Sequence, residues 1–174
     1  PAKSLWITEF NVSFADAAEL VGTWMHGLFL AQFALRALED ARVELLIAHM
    51  LTGNRQWQTV VHPGRAPDVV PAPGFESYAL TAQGRALAAV AATLAGGRCG
   101  RALAQSELSG VTDTDRVAAW LLTRGTVERM VIVNADAATA RIDLSSAGWQ
   151  AAAGRVLTAA PLARITGPAA LSDV

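Results

Sequence analysis

The segment that decides the fold is Leu5-Trp6-Ile7-Thr8-Glu9-Phe10-Asn11-Val12, an apolar, β-prone run with a single carboxylate near its end. Residues of equal parity in a strand share a face, so Trp6 and Phe10 are predicted to enter a core on the face opposite Glu9. A buried strand that ends in a lone acid can hold a catalytic group. The segment therefore predicts such a strand, with Glu9 at its carboxyl end.

The composition is more apolar than that of an average soluble domain. Of the 174 residues, 52% are hydrophobic and 17% are charged, and the mean hydropathy is +0.31. A chain of this length buries about two thirds of its unfolded surface, enough for a core without disulfides or metals. Part of the surface is expected to be buried against something else. Because no apolar run reaches about 20 residues, no transmembrane helix is predicted.

Charge and cysteine content argue against several classes of function. The formal net charge is −1 and Lys3 is the only lysine, so no nucleic-acid partner is expected. Cys99 is the only cysteine, which leaves neither an internal disulfide nor a thiol cluster for zinc. The spacing of His26, His49 and His62 predicts no metal site. No cofactor is therefore predicted.

The first half of the chain predicts one βαβ unit. Asp16 can cap a helix that runs to about Asp40, because apolar residues recur there at three- and four-residue steps. The run from Val43 to Leu51 is continuously apolar, which is typical of a parallel strand covered on both sides. Strand, helix and strand in this order form a right-handed unit.

A long loop and a second helix follow the βαβ unit. The loop, from Thr52 to Gly74, contains four prolines. The helix is predicted to begin at Ser77 or Thr81 and to end near Ala95, where two glycines supply the left-handed backbone that stops it. This arrangement gives a second βα unit.

Short strands separated by turn residues take over after the second helix, and they predict an antiparallel sandwich. The fold class is therefore α/β followed by an all-β part, with the boundary at Gly96 to Gly100. The predicted strands are Arg101 to Glu107, Val117 to Thr123, Glu128 to Asn134, Ala140 to Leu144 and Arg155 to Ala159.

The motif Trp6-Ile7-Thr8-Glu9-Phe10-Asn11 resembles the seventh-strand motif of retaining glycoside hydrolases of the (β/α)8-barrel, or TIM-barrel, superfamily. The α-L-arabinofuranosidase-like and β-xylosidase-like families are nearest. They place the nucleophilic glutamate at the carboxyl end of strand seven and continue through helix seven, strand eight and helix eight into a β-sandwich. The element order here is similar. The resemblance implies that residues 1–96 form the C-terminal quarter of a barrel and residues 97–174 a β-sandwich domain.

The resemblance also implies a chemistry. A retaining glycosidase uses two carboxyl groups about 5–5.5 Å apart, one as the nucleophile and one as the acid/base, and Glu9 matches the nucleophile. The family's acid/base glutamate follows an asparagine on strand four, but these 174 residues contain no Asn-Glu pair and no strands one to six. The chain alone is expected to be an inactive fragment of an enzyme that acts on glycosides of plant-type or similar polysaccharides or oligosaccharides. Its open barrel edges predict association with the missing N-terminal barrel part or a homo-oligomer.

Three further residues are candidates for substrate binding. Asn11 shares the face of Glu9, His49 lies in the second strand, and Trp57 lies in the loop after it, where related barrels present an aromatic side chain to the sugar. Structural alternatives stay open: Asn11 as a turn former, His49 as a buried, hydrogen-bonded histidine, and Glu9 as the acid of a salt bridge or a helix cap.

Two other interpretations complete the prediction. His26, Glu19 and Thr23 recur at one-turn steps and predict a solvated or interdomain helix face. For the chain as a whole, the alternative to a glycosidase fragment is a noncatalytic module whose β-rich half binds carbohydrate or protein.

Overall fold

A computed structural model of the chain describes residues 3–12, 18–49, 61–62, 79–104, 107, 113, 115–136, 156–163 and 172–173. This part contains two helices and nine strands. In chain order they are β1 Leu5–Phe10, α1 Trp24–Ala37, β2 Val43–Ala48, β3 Val61–His62, β4 Ala79–Leu80, α2 Ala82–Leu94, β5 Arg98–Ala102, β6 Val117–Arg124, β7 Val127–Asn134, β8 Leu157–Thr158 and β9 Ser172–Asp173. The predicted strand from Ala140 to Leu144 lies outside the described residues.

Strands β1 and β2 pair in parallel and are joined through α1, in the order expected of a βαβ unit. Leu5 pairs with Val43 at one end, and Phe10 pairs with Ala48 at the other. The register shifts between Ile7 and Phe10. This irregularity breaks the period-two alternation on which the predicted faces of β1 depended.

Helix α1 begins at Trp24, so the prediction of a helix already under way at residues 18–22 is wrong. Gly22 has a φ of +82°, in the left-handed region that a helix interior does not contain. Thr23 is the N-cap, and its hydroxyl accepts a 3.3 Å hydrogen bond from the His26 backbone N–H. Asp16, the predicted cap, lies outside the described residues.

Strand β2 is not covered on both sides within the described residues, contrary to prediction. Helix α1 covers one face, where Phe10, Leu30 and Ala34 form a buried cluster. Leu45 and Ile47 on β2 are 37% and 44% exposed. Among the described residues, the apolar run of β2 therefore has a packing layer on one side only.

The two aromatic residues of β1 have different environments. Phe10 is buried and stacks on Phe33 of α1, with ring centroids 5.0 Å apart. Trp6 is 63% exposed, so its prediction as a core residue is wrong. The reason is that the buried cluster under β1 forms around Phe10, at the end of the strand, and does not include Trp6.

Helix α2 packs against α1 and begins at one of its two predicted positions. Thr81 is its N-cap and accepts a 3.2 Å hydrogen bond from the Gly84 N–H. Gly27 of α1 lies against the start of α2, where an added Cβ would be 2.8 Å from the Ala82 carbonyl oxygen. Glycine is therefore required for this close approach of the two helices. Gly96, the second residue after the end of α2, has a φ of +78°.

The β-rich half contains the antiparallel sheet β5-β6-β7, one face of which shares a core with the two helices. Leu103, Val117 and Ala119 form a separate buried cluster. Trp120 is 1% exposed, and its indole Nε1 donates a 2.7 Å hydrogen bond to Glu39 Oε1 beyond the end of α1. Residues 98–100 of the predicted boundary at Gly96 to Gly100 belong to β5, and the regions on either side of the boundary pack on each other. The core residues common to both are Trp24, Ala31, Leu35, Ala82, Ala86, Val90, Ala118, Trp120, Leu122 and Val133.

Candidate active site

The carboxyl ends of the two parallel strands lie side by side. Phe10 pairs with Ala48, and the His49 N–H donates a 3.0 Å hydrogen bond to the Phe10 carbonyl just past this pair. Glu9 precedes the pair on β1, and His49 directly follows the end of β2. The parallel pairing of the two strands therefore places an acid and a histidine at one edge.

Glu9 is accessible, and its carboxylate lies beside the imidazole of His49. The Glu9 Oε1 atom lies 3.8 Å from His49 Nδ1, and the two side chains are 73% and 49% exposed. This contact is longer than a hydrogen bond and acts as an ion pair only when His49 is protonated. His49 is half-exposed, so the alternative of a buried histidine is wrong, and its ring is accessible at this edge.

Asn11 connects three elements at the same edge. Its Nδ2 donates to the His49 carbonyl. Its Oδ1 accepts a 2.7 Å hydrogen bond from the Val12 N–H and lies 2.7 Å from His26 Nε2 on α1. The side chain thus links the segment directly after β1 to the end of β2 and to the first turn of α1. These contacts go beyond the local turn that a lone asparagine forms.

His26 is the residue that sequence reasoning missed. It is 1% exposed, and its Nδ1 accepts a 3.1 Å hydrogen bond from the Gly22 N–H. Burial lowers the pKa of His26 from 6.5 to about 4, so the ring is neutral at neutral pH. A neutral ring with an accepting Nδ1 carries its proton on Nε2 and donates it to Asn11.

Of the predicted solvated or interdomain helix face, the solvated alternative is wrong for His26 and Thr23, both 1% exposed. Glu19 is exposed, but it precedes α1. The error followed from the helix start. With Thr23 as the N-cap, residues 23–26 form the first turn, which folds beneath the end of β1. The signal that can locate this turn is Gly22-Thr23, a glycine followed by a capping residue.

Residues from the β-rich half complete the first turn of α1. The N–H groups of Trp24 and Met25 have no partners within the helix, and they donate 2.9 Å hydrogen bonds to the carbonyls of Ala163 and Pro161, respectively. The helix start that holds His26 is thus fixed from both halves of the chain.

The geometry brings Glu9, Asn11 and His49 together, whereas Trp57 lies outside the described residues. A cavity of about 500 Å³ lies elsewhere, between α2 and β7, and none of its lining residues belongs to this edge. No group of three His, Cys, Asp or Glu side chains suited to a metal ion occurs in the described ranges. The arrangement offers one accessible carboxylate, able to act as a nucleophile or a base, next to an accessible imidazole.

In comparisons with protein-family models, curated proteins and solved structures, the chain matches none. Within the part of the chain that the structure describes, neither helix is long and apolar enough to cross a membrane.

Proposed function

We propose that this chain is the C-terminal part of a retaining glycoside hydrolase, with Glu9 in the position of the nucleophile. The observation that carries the proposal is the accessible Glu9 carboxylate at the carboxyl end of a parallel strand whose neighbour is directly followed by His49. In (β/α)8 barrels, catalytic groups come from the carboxyl ends of the strands and the loops that follow. The motif around Glu9 resembles strand seven of such enzymes.

The exposed faces of β1 and β2 support a larger sheet. Within the described residues, β1 and β2 pair only with each other. On these two strands, the side chains of Trp6, Leu45 and Ile47 are 37–63% exposed. In a complete barrel, the interior is filled by side chains from all of the strands. Further barrel strands, or a second copy of the chain, would cover these side chains and the open edges.

The proposed reaction proceeds in two steps. The Glu9 carboxylate attacks the anomeric carbon and forms a glycosyl ester, while a second carboxylic acid protonates the departing oxygen. The same second group then removes a proton from water, which attacks the anomeric carbon and releases Glu9. The second carboxyl group comes from the missing barrel part. The chain alone is therefore inactive.

Substrate contacts belong to the same proposal. The half-exposed His49 ring is accessible to a sugar hydroxyl, and Trp57 supplies an aromatic surface. Asn11 already bonds three elements of the protein, so its contribution is foremost to hold the edge on which Glu9 lies. The resemblance favours an arabinofuranoside or a xyloside as the substrate.

A covalent trap tests the proposal. The chain is produced together with the polypeptide encoded upstream and incubated with 2-deoxy-2-fluoroglycosides of xylose and arabinofuranose that carry a good leaving group. The fluorine slows hydrolysis of the glycosyl ester, so peptide mass spectrometry should locate the sugar on Glu9. Glu9→Gln should abolish both the adduct and turnover of aryl glycosides because the amide is a poor nucleophile.

Glu44 supplies the matched control. It is an exposed glutamate on β2, and Glu44→Gln should retain the adduct and the turnover. An adduct on another carboxylate, or unchanged turnover by Glu9→Gln, would remove Glu9 from the mechanism. If the upstream region encodes no barrel strands and no adduct forms, the noncatalytic carbohydrate- or protein-binding module replaces the glycosidase.

A further inference from the structure

The ends of β1 and β2 are joined by a chain of hydrogen bonds that begins in the turn before α1. We propose that His26 is a positioning residue: as the Nε2–H tautomer it fixes the Asn11 side chain and thereby holds the strand ends at which Glu9 and His49 lie. The effect of His26 on catalysis rests on the proposed function, whereas the hydrogen-bond chain follows from the geometry alone.

The direction of each hydrogen bond in the chain is determined. Gly22 N–H can only donate, so His26 Nδ1 accepts at 3.1 Å. A neutral imidazole with an accepting Nδ1 has its single N–H at Nε2, which donates to Asn11 Oδ1 at 2.7 Å. The tautomer of His26 is therefore set by the backbone of the preceding turn.

The orientation of the Asn11 amide follows from the tautomer of His26. Val12 N–H and His26 Nε2–H both donate toward the same Asn11 atom, which must be the carbonyl oxygen Oδ1. A flipped amide would place its NH2 group against two donors. With Oδ1 fixed in this way, Nδ2 points to the His49 carbonyl and donates to it.

His49 is consequently held by both of its backbone groups. Its N–H donates to Phe10 at 3.0 Å, and its carbonyl accepts from Asn11. Both partners directly follow Glu9, at the point where the pairing of β1 and β2 has an irregular register. The Asn11 bond therefore adds a contact next to an irregular part of the ladder, where Glu9 Oε1 and His49 Nδ1 lie 3.8 Å apart.

Two substitutions separate the two hydrogen bonds of His26. In His26→Gln, the amide nitrogen lies near the former Nε2 and can still donate to Asn11, but nothing replaces Nδ1. In His26→Asn, the shorter side chain can still accept from Gly22 but does not reach Asn11. A side chain that only filled space would affect both partners alike in the two variants.

Site-resolved amide hydrogen exchange measures the outcome on the purified full chain. We expect His26→Asn to accelerate exchange at Val12 and His49 by about tenfold, with Gly22 changed by less than about threefold. In His26→Gln, exchange should accelerate by about tenfold at Gly22 and change by less than about threefold at Val12 and His49. The amide of Leu103, which bonds to the Ala119 carbonyl at 2.8 Å in the other sheet, is the internal reference. Equal acceleration at all sites in both variants would overturn the proposal.

The complete enzyme supplies the second readout. Loss of a positioning contact should lower kcat about tenfold in His26→Asn and leave KM unchanged, and His26→Gln should restore kcat to within about threefold of the wild-type value. If the exchange pattern reverses between the variants but no glycosidase activity exists, the proposed function fails and the positioning role stands. If a sugar adduct forms on Glu9 without this reversal, the function stands and the positioning role of His26 is wrong.

Discussion

Acidification from pH 7 to pH 5 should destabilise this protein through His26 by about 2 kcal/mol. The cause is burial, which lowers the pKa of His26 from 6.5 to about 4 in the folded chain. Between these two values the unfolded chain binds a proton that the folded chain does not, so the free energy of unfolding falls as the pH falls. The contribution is complete above pH 6.5 and is lost progressively toward pH 4, where the loss reaches about 3 kcal/mol.

Other perturbed acids titrate outside this window. Hydrogen bonds from Arg42 lower the pKa of Asp40 to about 2, and hydrogen bonds from Arg101 lower that of Glu107 to about 2. A carboxylate with a lowered pKa contributes stability above its unfolded value, near 4, and loses it only below that pH. The interval from pH 7 to pH 5 therefore isolates His26 from both pairs.

Urea unfolding provides the measurement, with fluorescence of the buried Trp24 and Trp120 as the signal. The free energy of unfolding is determined at pH 7 and pH 5 for the wild type and for His26→Gln, which cannot titrate. The wild type should lose about 2 kcal/mol more than the variant over this interval. The comparison is a difference of differences, so any destabilisation by the substitution itself cancels. Equal pH dependence in the two proteins would refute the assignment of a buried neutral imidazole.

Two further predictions concern packing and assembly. Gly27→Ala should lower the free energy of unfolding by about 1–3 kcal/mol, because the new Cβ would lie 2.8 Å from the Ala82 carbonyl oxygen. Urea unfolding measures this change, and an unchanged stability would contradict the close approach of the two helices. The isolated chain should self-associate through the exposed edges of β1 and β2. The double substitution Trp6→Ser and Ile47→Ser should shift the molar mass measured by light scattering toward that of the monomer, and should change the free energy of unfolding by less than about 1 kcal/mol. A wild-type chain that is already monomeric would contradict the second prediction.

Local signals were sufficient where structure depends on neighbouring residues. Thr81 was a predicted start of α2 because a hydroxyl can cap a helix, and the glycine at 96 was predicted to stop it. Strands β6 and β7 were predicted to within one residue at each end, because two short, mainly apolar runs flank a turn signal at Arg124-Gly125. Gly125 has a φ of +60° in this turn.

Sequence reasoning failed where the outcome depends on tertiary contacts. Apolar residues continue through Val21, so the periodicity gave no sign that α1 starts only at Trp24. The role of His26 depended on this start, because the ring is buried only when residues 23–26 form the first turn. The coverage of β2 depended on a second packing layer, which the described residues do not supply.

The placement of His26 links the candidate site to the β-rich half of the chain. The first two N–H groups of α1 donate to the carbonyls of Ala163 and Pro161, so the turn that holds His26 is fixed by residues far along the sequence. At the other end of the same helix, Trp120 of β6 donates to Glu39, and the helix body shares its core with the sheet. Both ends of α1 are thereby anchored to the β-rich half. Because α1 in turn bonds Asn11 through His26, the β-rich half takes part in fixing the edge on which Glu9 lies.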